Sequence, residues 1–306
     1  VSGYVDLQVN GYAGIDFNSA KLTETEMVVA CQRLQADGVD KILATIITAP
    51  MPQMIDSIQR IARWIDEVAE IREVVAGLHI EGPFINPAEG FVGAHPIDAV
   101  ISASVDDASR LVDAGGGHVR ILTLAPECDH GAKVIRWLSN QGIKVSAGHS
   151  NLSLDELDRS IDAGLAMFTH LGNGCPATQP RHDNVIQRVL SRADRIAISF
   201  IADGHHVPIF ALANYLCCIP TDNIIIVSDA ISAAGLGPGK YPLAGQTVYV
   251  DTAGAAWAEC RTHYAGCATP LRRMQEILAT ELSATNSLID AWMKHNPRRL
   301  GISATT

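Results

Sequence analysis

Short apolar runs alternate along the chain with longer stretches in which apolar residues recur every three to four positions. The runs read as strands: 4–9 (YVDLQV), 41–48 (KILATIIT), 74–80 (VVAGLHI), 118–124 (HVRILTL), 143–147 (IKVSA), 165–169 (LAMFT), 195–201 (RIAISFI) and 223–228 (NIIIVS). The longer stretches read as helices over 23–37, 51–70, near 130–140, 153–163 and near 208–217. Thr23 and Glu26 stand in capping-box spacing at the start of the first helix. Repeated strand–helix alternation predicts an α/β fold with a parallel sheet, and eight units predict a closed (β/α)8 TIM-type barrel. An open doubly wound sheet is the alternative, but no Gly-x-Gly-x-x-Gly follows the first strand. Residues 235–268 form a Gly-rich, partly β-like excursion, and helices near 269–281 and 284–295 finish the chain, so that 1–306 reads as one catalytic domain.

Composition narrows the partners. The chain has 306 residues, 47% hydrophobic and only 5% aromatic, so its core rests on Ile, Leu, Val and Ala, as in parallel strands covered by helices. A formal net charge of -10 argues against nucleic acid and anionic membranes as partners, but not against a small anionic substrate in a locally basic pocket. The seven cysteines are odd in number and no pair has C-x-x-C spacing; with no visible signal peptide, the expected location is a reducing cytosol with free thiols. No apolar run approaches the roughly 18 residues of a transmembrane helix.

In such barrels the chemistry collects where strands end. Here the third strand runs into Glu81, the fifth into "AGHSN" with His149, the sixth into "FTHLGNG" with His170, the seventh into "ADGHHVP" with Asp203, His205 and His206, and the eighth into "VSDA" with Asp229. Taken singly, each has an ordinary explanation. A strand-end histidine is usually a hydrogen-bonded spacer, Asp229 could cap a helix, and Glu81 could pair with an arginine. A buried carboxylate costs several kcal/mol unless paired or metal-bound. Together on one rim, a Glu and two His make a three-ligand shell for a hydrolytic Zn²⁺ with a position open to water. Asp229 would then lie across the mouth as a proton acceptor.

The stretches "GYVDLQVNGYAGIDFN" (3–18), "GLHIEGPFINPAEGFVGAHP" (77–96), "VSAGHSN" (145–151), "THLGNGCP" (169–176), "IADGHHV" (201–207) and "VSDAISAAGLGPGKYPLAGQ" (227–246) resemble, in order, the amidohydrolase superfamily, and within it the N-acetylglucosamine-6-phosphate deacetylase family. The resemblance implies metal ligation by Glu81, His149 and His170, a catalytic aspartate at Asp229, and a Gly-Ala-His segment in which Ala94 and His95 meet the substrate and His95 helps hold its carbonyl. It places the substrate phosphate on Asn173, Gly174, Arg181 and His206, and further contacts on Tyr264, Ala265 and Gly266. The arginine can come from a neighbouring subunit, so a homodimer is implied. The expected activity is hydrolysis of the acetamide of N-acetylglucosamine-6-phosphate to glucosamine-6-phosphate and acetate.

Departures from the pattern carry information. Many amidohydrolases have His-x-His at the end of strand one; here it is Gln8-Val9-Asn10. Two amides are poor Zn²⁺ ligands beside carboxylate and imidazole, so one divalent metal is expected, Zn²⁺ first, with Fe²⁺, Mn²⁺ or Co²⁺ able to use the same shell, and Gln8 and Asn10 are expected to make barrel hydrogen bonds. The usual Asn-Ala-Met-Pro is Asn173-Gly174-Cys175-Pro176, the usual Arg-Glu-Pro-Gly keeps only Arg181, and the usual late-loop Ser is Cys267. The family wraps a small β-sandwich from both termini, which is expected to be absent here. His79 is expected on the same strand face as Glu81; His118, His130, His263 and His295 as structural or exposed; the roles of His182 and His205 stay open. The rival readings are the same chemistry on N-acetylgalactosamine-6-phosphate, another amidohydrolase activity such as opening a cyclic amide, and a catalytically silent sugar-phosphate-binding protein.

Overall fold

Eight parallel strands follow one another around a single sheet in chain order. They are β1 (Tyr4–Val9), β2 (Val39–Ile47), β3 (Val75–Glu81), β4 (Val119–Leu124), β5 (Lys144–Ala147), β6 (Leu165–Phe168), β7 (Ala197–Ile201) and β8 (Ile224–Val227). This is the (β/α)8 barrel that the alternation predicts. The computed structural model describes residues 3–243, 246–259, 261 and 264–300. Each strand is nearly all buried because helices cover its outer face, which is why the runs are continuously apolar rather than alternating.

The sheet closes between β1 and β8 by an unusual seam. At the upper rim Val9 bridges Ala230, whose carbonyl accepts the N–H groups of Asn10 and Gly11. Lower down, the buried carboxylate of Asp6 accepts the Ser228 N–H at 3.1 Å and the Gln8 N–H at 3.3 Å. Burial pushes the Asp6 carboxyl up to about 7, against the pull of these hydrogen bonds. A side chain thus does the work of a strand ladder where the seam needs it.

The covering helices are α1 (Glu24–Ala36), α2 (Met51–Glu67), α3 (Ala69–Val74), α4 (Val105–Ala114), α5 (Lys133–Asn140), α6 (Leu154–Ala163), α7 (Val185–Leu190), α8 (Ile209–Cys217) and α9 (Leu271–Glu281). The predicted capping box forms: Thr23 Oγ1 accepts the Glu26 N–H and Glu26 answers on the Thr23 N–H. Ser153 and Glu156 make a second one on α6. The sequence reading differs in four places. It runs one helix over 51–70, where Val68 goes extended and splits α2 from α3. It has no helix between β3 and β4, where α4 sits with Ser104 as its cap, nor one for α7. It draws one helix over 284–295, where a short α10 (Asn286–Asp290) passes into a π-turn (Ala291–His295) and α11 (Asn296–Arg299).

The Gly-rich excursion is a small antiparallel sheet of β9 (Gly239–Leu243), β10 (Gln246–Val250) and β11 (Ala256–Trp257), with its own apolar cluster of Ile231, Val248, Val250 and Ala265. It stands at the end of β8, on the rim that carries the polar strand ends. Among the described residues no helix is long and apolar enough to cross a membrane.

Candidate active site

Every predicted strand-end group arrives on that rim, and the backbone turns sharply to deliver it. His149, His170 and Asp229, each just beyond its strand, have φ of 51°, 33° and 50°. Left-handed geometry at a non-glycine residue costs on the order of 1–3 kcal/mol and is retained where the surroundings impose it. Glu81 is the last residue of β3 itself and is 3% exposed. The turn after it falls on Gly82, at φ 85°, where a Cβ would lie 2.0 Å from Thr48 Oγ1.

Three nitrogens converge on one oxygen of Glu81. His170 Nε2 lies 3.0 Å from Oε1, His149 Nε2 lies 3.4 Å from it, and Gln8 Nε2 donates to it at 3.0 Å. The other end of the Gln8 amide accepts the Thr169 hydroxyl at 2.7 Å. His149 Nδ1 sits 2.8 Å from the Phe91 carbonyl. A carbonyl only accepts, so Nδ1 carries the hydrogen, and in neutral imidazole Nε2 presents a lone pair to a carboxylate oxygen. Two lone pairs facing each other repel, and a divalent cation between them would take both. A carboxylate and two imidazoles, one oriented by a backbone carbonyl, form the donor set that a hydrolytic divalent metal uses. The residues present therefore fit one. Burial would raise the Glu81 carboxyl, but when the rings of His149 and His170 carry a second proton their hydrogen bonds and charge outweigh burial and hold it well below its usual range; a cation would take the place of those protons. The same partnership with Glu81 overcomes burial and raises His170.

His95 completes the cluster from the loop after β3. Its ring stands edge-on to His149 with centroids 4.4 Å apart, and donor atoms of Glu81, His95 and His149 all lie within 4.8 Å of one another. Burial, then the neighbouring His149, push the His95 pKa down to about 3, so the ring is neutral.

Asp229 faces this cluster. Its Oδ1 accepts Asn10 Nδ2 at 2.7 Å. Burial, then the charge of Glu81, push its carboxyl up to about 6. Gln8 and Asn10 do make hydrogen bonds, as expected, but their partners are the two functional carboxylates themselves. His79 shares the inner face of β3; its ring spans the barrel between the Leu7 carbonyl, 2.8 Å from Nδ1, and Thr123 Oγ1, 2.7 Å from Nε2.

A cavity of about 910 Å³ opens above these groups. Asn10, Glu81, His95, His149, His170 and Asp229 line its floor; Ala94, Asn173, Gly174, His206, Tyr264, Ala265 and Gly266 line its walls. His206 is fixed by Asp203, whose Oδ2 lies 2.7 Å from its Nδ1 and whose Oδ1 accepts the His205 and His206 N–H groups at 2.9 Å. Burial would raise Asp203, but these contacts outweigh it and hold it at about 2. Cys267 Sγ lies 3.5 Å from the same carboxylate; it is buried, and burial pushes its pKa well up, which fits a packing thiol.

One predicted residue stays outside. Arg181 is exposed on the loop before α7 and does not line the cavity of its own chain, and among the described lining residues there is no Lys or Arg. Trp257 is a wall residue that sequence reading missed: its ring packs at a tilt against Tyr264 (4.5 Å between centroids), which in turn meets His206 (5.1 Å). An aromatic in a Gly-rich excursion was its only signal. Of the histidines left open, His205 Nε2 meets the Ala253 carbonyl at 3.0 Å and His182 is exposed. His118 pairs with Asp66, and His130 and His295 are exposed. His263 lies outside the described residues.

Comparison with known proteins agrees with this geometry. No family model matches the chain. The N-acetylglucosamine-6-phosphate deacetylase of Bos taurus is 30% identical over 307 residues, covering 98% of this chain and 74% of its own length. An N-acetylgalactosamine-6-phosphate deacetylase of Escherichia coli is 30% identical over 246 residues, 80% of this chain and 63% of its own. Among solved structures, a variant N-acetyl-D-glucosamine-6-phosphate deacetylase from Mycobacterium smegmatis, in complex with N-acetyl-D-glucosamine-6-phosphate, superposes with a TM-score of 0.88 at 26% identity, over 98% of this chain and 77% of that one. Near-complete coverage at 30% identity and a shared barrel lead to one conclusion: the chain belongs to the N-acetylglucosamine-6-phosphate deacetylase family.

Proposed function

We propose that this chain removes the acetyl group from N-acetylglucosamine-6-phosphate, giving acetate and glucosamine-6-phosphate. The observation that carries this reading is the opposition, across one cavity floor, of a buried carboxylate held by an amide (Asp229) and a Glu–His–His donor set (Glu81, His149, His170).

Glu81, His149 and His170 would hold one divalent cation, Zn²⁺ first, with Fe²⁺, Mn²⁺ or Co²⁺ as alternatives. When bound, that cation supplies Lewis acidity, which makes water a nucleophile near neutral pH and polarises the amide carbonyl. Asp229 takes a proton from the attacking water as its oxygen bonds to the acetyl carbon. His95, neutral and buried, offers an N–H to the developing oxyanion. Asp229 then passes its proton to the nitrogen as the C–N bond breaks. An aspartate raised to about 6 suits this exchange, being ionised at neutral pH yet basic enough to hold a proton between the two steps.

At the far wall, His206 and the loop amides of Asn173 and Gly174 would receive the phosphate, with Ala94, Tyr264, Ala265 and Gly266 bounding the sugar. A phosphate dianion in a cavity without its own Lys or Arg needs a cation from elsewhere. Arg181 of a second copy, as the family resemblance suggests, would complete the site in a homodimer. The Escherichia coli relative keeps the galacto epimer as the second reading.

The test is a substrate panel of N-acetylglucosamine-6-phosphate, its galacto epimer and unphosphorylated N-acetylglucosamine. The phosphorylated gluco sugar is expected to lead in kcat/KM, with the unphosphorylated sugar at least 100-fold poorer, since charge-assisted contacts contribute about 1.5–3 kcal/mol each. Equal kcat/KM with and without phosphate would remove the phosphate site, and a lead for the galacto epimer would move the assignment to the second reading.

A further inference from the structure

The two amides at the end of β1 look alike but are not used alike. Gln8 is satisfied at both ends, its nitrogen on Glu81 and its oxygen on Thr169. Asn10 is satisfied at one. Its Nδ2 donates to Asp229 Oδ1 at 2.7 Å, while its Oδ1 is buried and has no partner among the described residues. The residue is 4% exposed and lines the cavity floor beside Asp229 and Glu81.

The amide's orientation is not arbitrary. Reversed, it would set its oxygen against an ionised carboxylate at hydrogen-bond distance, which is repulsive. With the nitrogen committed to Asp229, the oxygen is left as an unpaired acceptor just beneath the cavity floor that the residue lines. A buried acceptor left without a donor costs about 1–3 kcal/mol. Gln8 shows that this barrel satisfies such groups from within when nothing else will, here with a threonine hydroxyl. The described residues supply no donor to Asn10 Oδ1, which leaves the cavity side as the source of one.

We propose that Asn10 is a catalytic residue: its Oδ1 accepts the second O–H of the attacking water while its Nδ2 holds Asp229 to take the first. This rests on the deacetylase reading above. Water brings two protons, and the reaction handles them differently. One goes to Asp229 and then to the departing amine. The other stays on the oxygen that bonds to the acetyl carbon, and leaves with the product acid. A water held by one acceptor can rotate; held by two on neighbouring side chains, it keeps a lone pair aimed at the carbonyl. Asn10 joins the two acceptors rigidly, because the same amide group that receives the second O–H also fixes the base.

The experiment compares the metal-loaded wild type with Asn10→Ala and with Asn10→Leu, which fills nearly the same volume without polar atoms. Substrates are N-acetylglucosamine-6-phosphate and the corresponding 2-O-acetyl sugar phosphate, an ester with no amide N–H. Melting temperature and metal per chain are measured on the same samples. Both variants are expected to lose about 100-fold in kcat, the usual scale for a misplaced reacting group. KM should stay within about two-fold, the loss should be equal on amide and ester, and metal content and melting should match the wild type. The loss should persist on the alkaline plateau of the kcat profile, where Asp229 is ionised in every protein. Recovery there would mean that Asn10 acts only by donating to Asp229. A loss confined to the amide would assign Oδ1 to the substrate N–H, a rise in KM alone would make it a binding contact, and loss of metal together with activity would make it structural. Each of these overturns the proposal. Wild-type turnover with normal variants would remove this inference alone, whereas a wild type that releases no acetate would remove the reading beneath it.

Discussion

Asp229 concentrates the chemistry at the scale of single residues. It is buried, lies across from Glu81, and is held by one amide hydrogen bond; the first two raise its carboxyl and the last partly offsets them. Replacing it with Asn keeps the shape and removes the base. Asp229→Asn is expected to lose at least 100-fold in kcat with metal content unchanged, and normal turnover in that variant would take the proton-transfer role away from it. The sign of the pH dependence follows. The base works ionised, so kcat/KM is expected to fall as pH drops through about 6. A bound cation lowers that midpoint further, so the limb lies at or below this value. A pH–rate profile flat down to pH 4 would contradict the assignment. These residues were legible in the sequence because a polar titratable group at the end of an apolar strand is conspicuous. Their partners were not: Asn10 and Asp229 are 219 positions apart, and no local pattern joins them.

At the scale of elements, the loops after β3, β4 and β5 are tied together beneath the site by Glu127. Its carboxylate accepts Asn86 Nδ2 at 2.8 Å, the Asn151 N–H at 2.6 Å and the Ser150 hydroxyl at 2.5 Å. Ser150 follows His149, and the Asn86 N–H donates to the His149 carbonyl at 3.0 Å. Glu127 therefore sets where His149 stands without lining the cavity. Removing a group that orients a ligand typically costs 10–100-fold in metal affinity. Glu127→Ala is expected to weaken metal binding on that scale in a chelator competition; unchanged affinity would show that the loop holds its shape unaided. Barrel strands were readable because doubly covered strands are apolar throughout. The helix α4 was not, because "VDDASRLVDA" mixes three aspartates into a short apolar face and its identity depends on docking beside α2. The loop clamp was invisible for the same reason as the Asn10 pair: a carboxylate in a "PEC" turn gives no hint of three partners from two other loops.

At the scale of the whole molecule, the open matter is the charge at the phosphate wall. Arg181 is exposed, and the cavity lining holds no Lys or Arg among the described residues. If a second copy supplies the cation, two inactive variants should repair each other. In mixed dimers of Arg181→Ala with Asp229→Asn, one site pairs an intact Asp229 with an intact arginine from its neighbour. Statistical exchange is then expected to restore about a quarter of wild-type activity, since half the dimers are mixed and each has one complete site. No restoration in a dimer shown to exchange would place the phosphate cation within the chain. Sequence reading found this residue through its resemblance but not its distance from the site, because where a loop lies in space leaves no trace in the chain's periodicity. The (β/α)8 architecture itself was legible from eight alternations, and the Gly-rich excursion from its composition. What that excursion contributes, Trp257 tilted against Tyr264 beside His206, had to be seen.

The proposed mechanism depends on one catalytic cation held by Glu81, His149 and His170 opposite Asp229. It is tested most directly by measuring acetate release from N-acetylglucosamine-6-phosphate as a function of metal bound per chain, from chelated protein to saturation. Release is expected to rise in proportion to metal and to level off at one per chain, and Glu81→Gln is expected to bind far less metal and release correspondingly little acetate. Full release from metal-free protein, or saturation of activity only at two metals per chain, would contradict it.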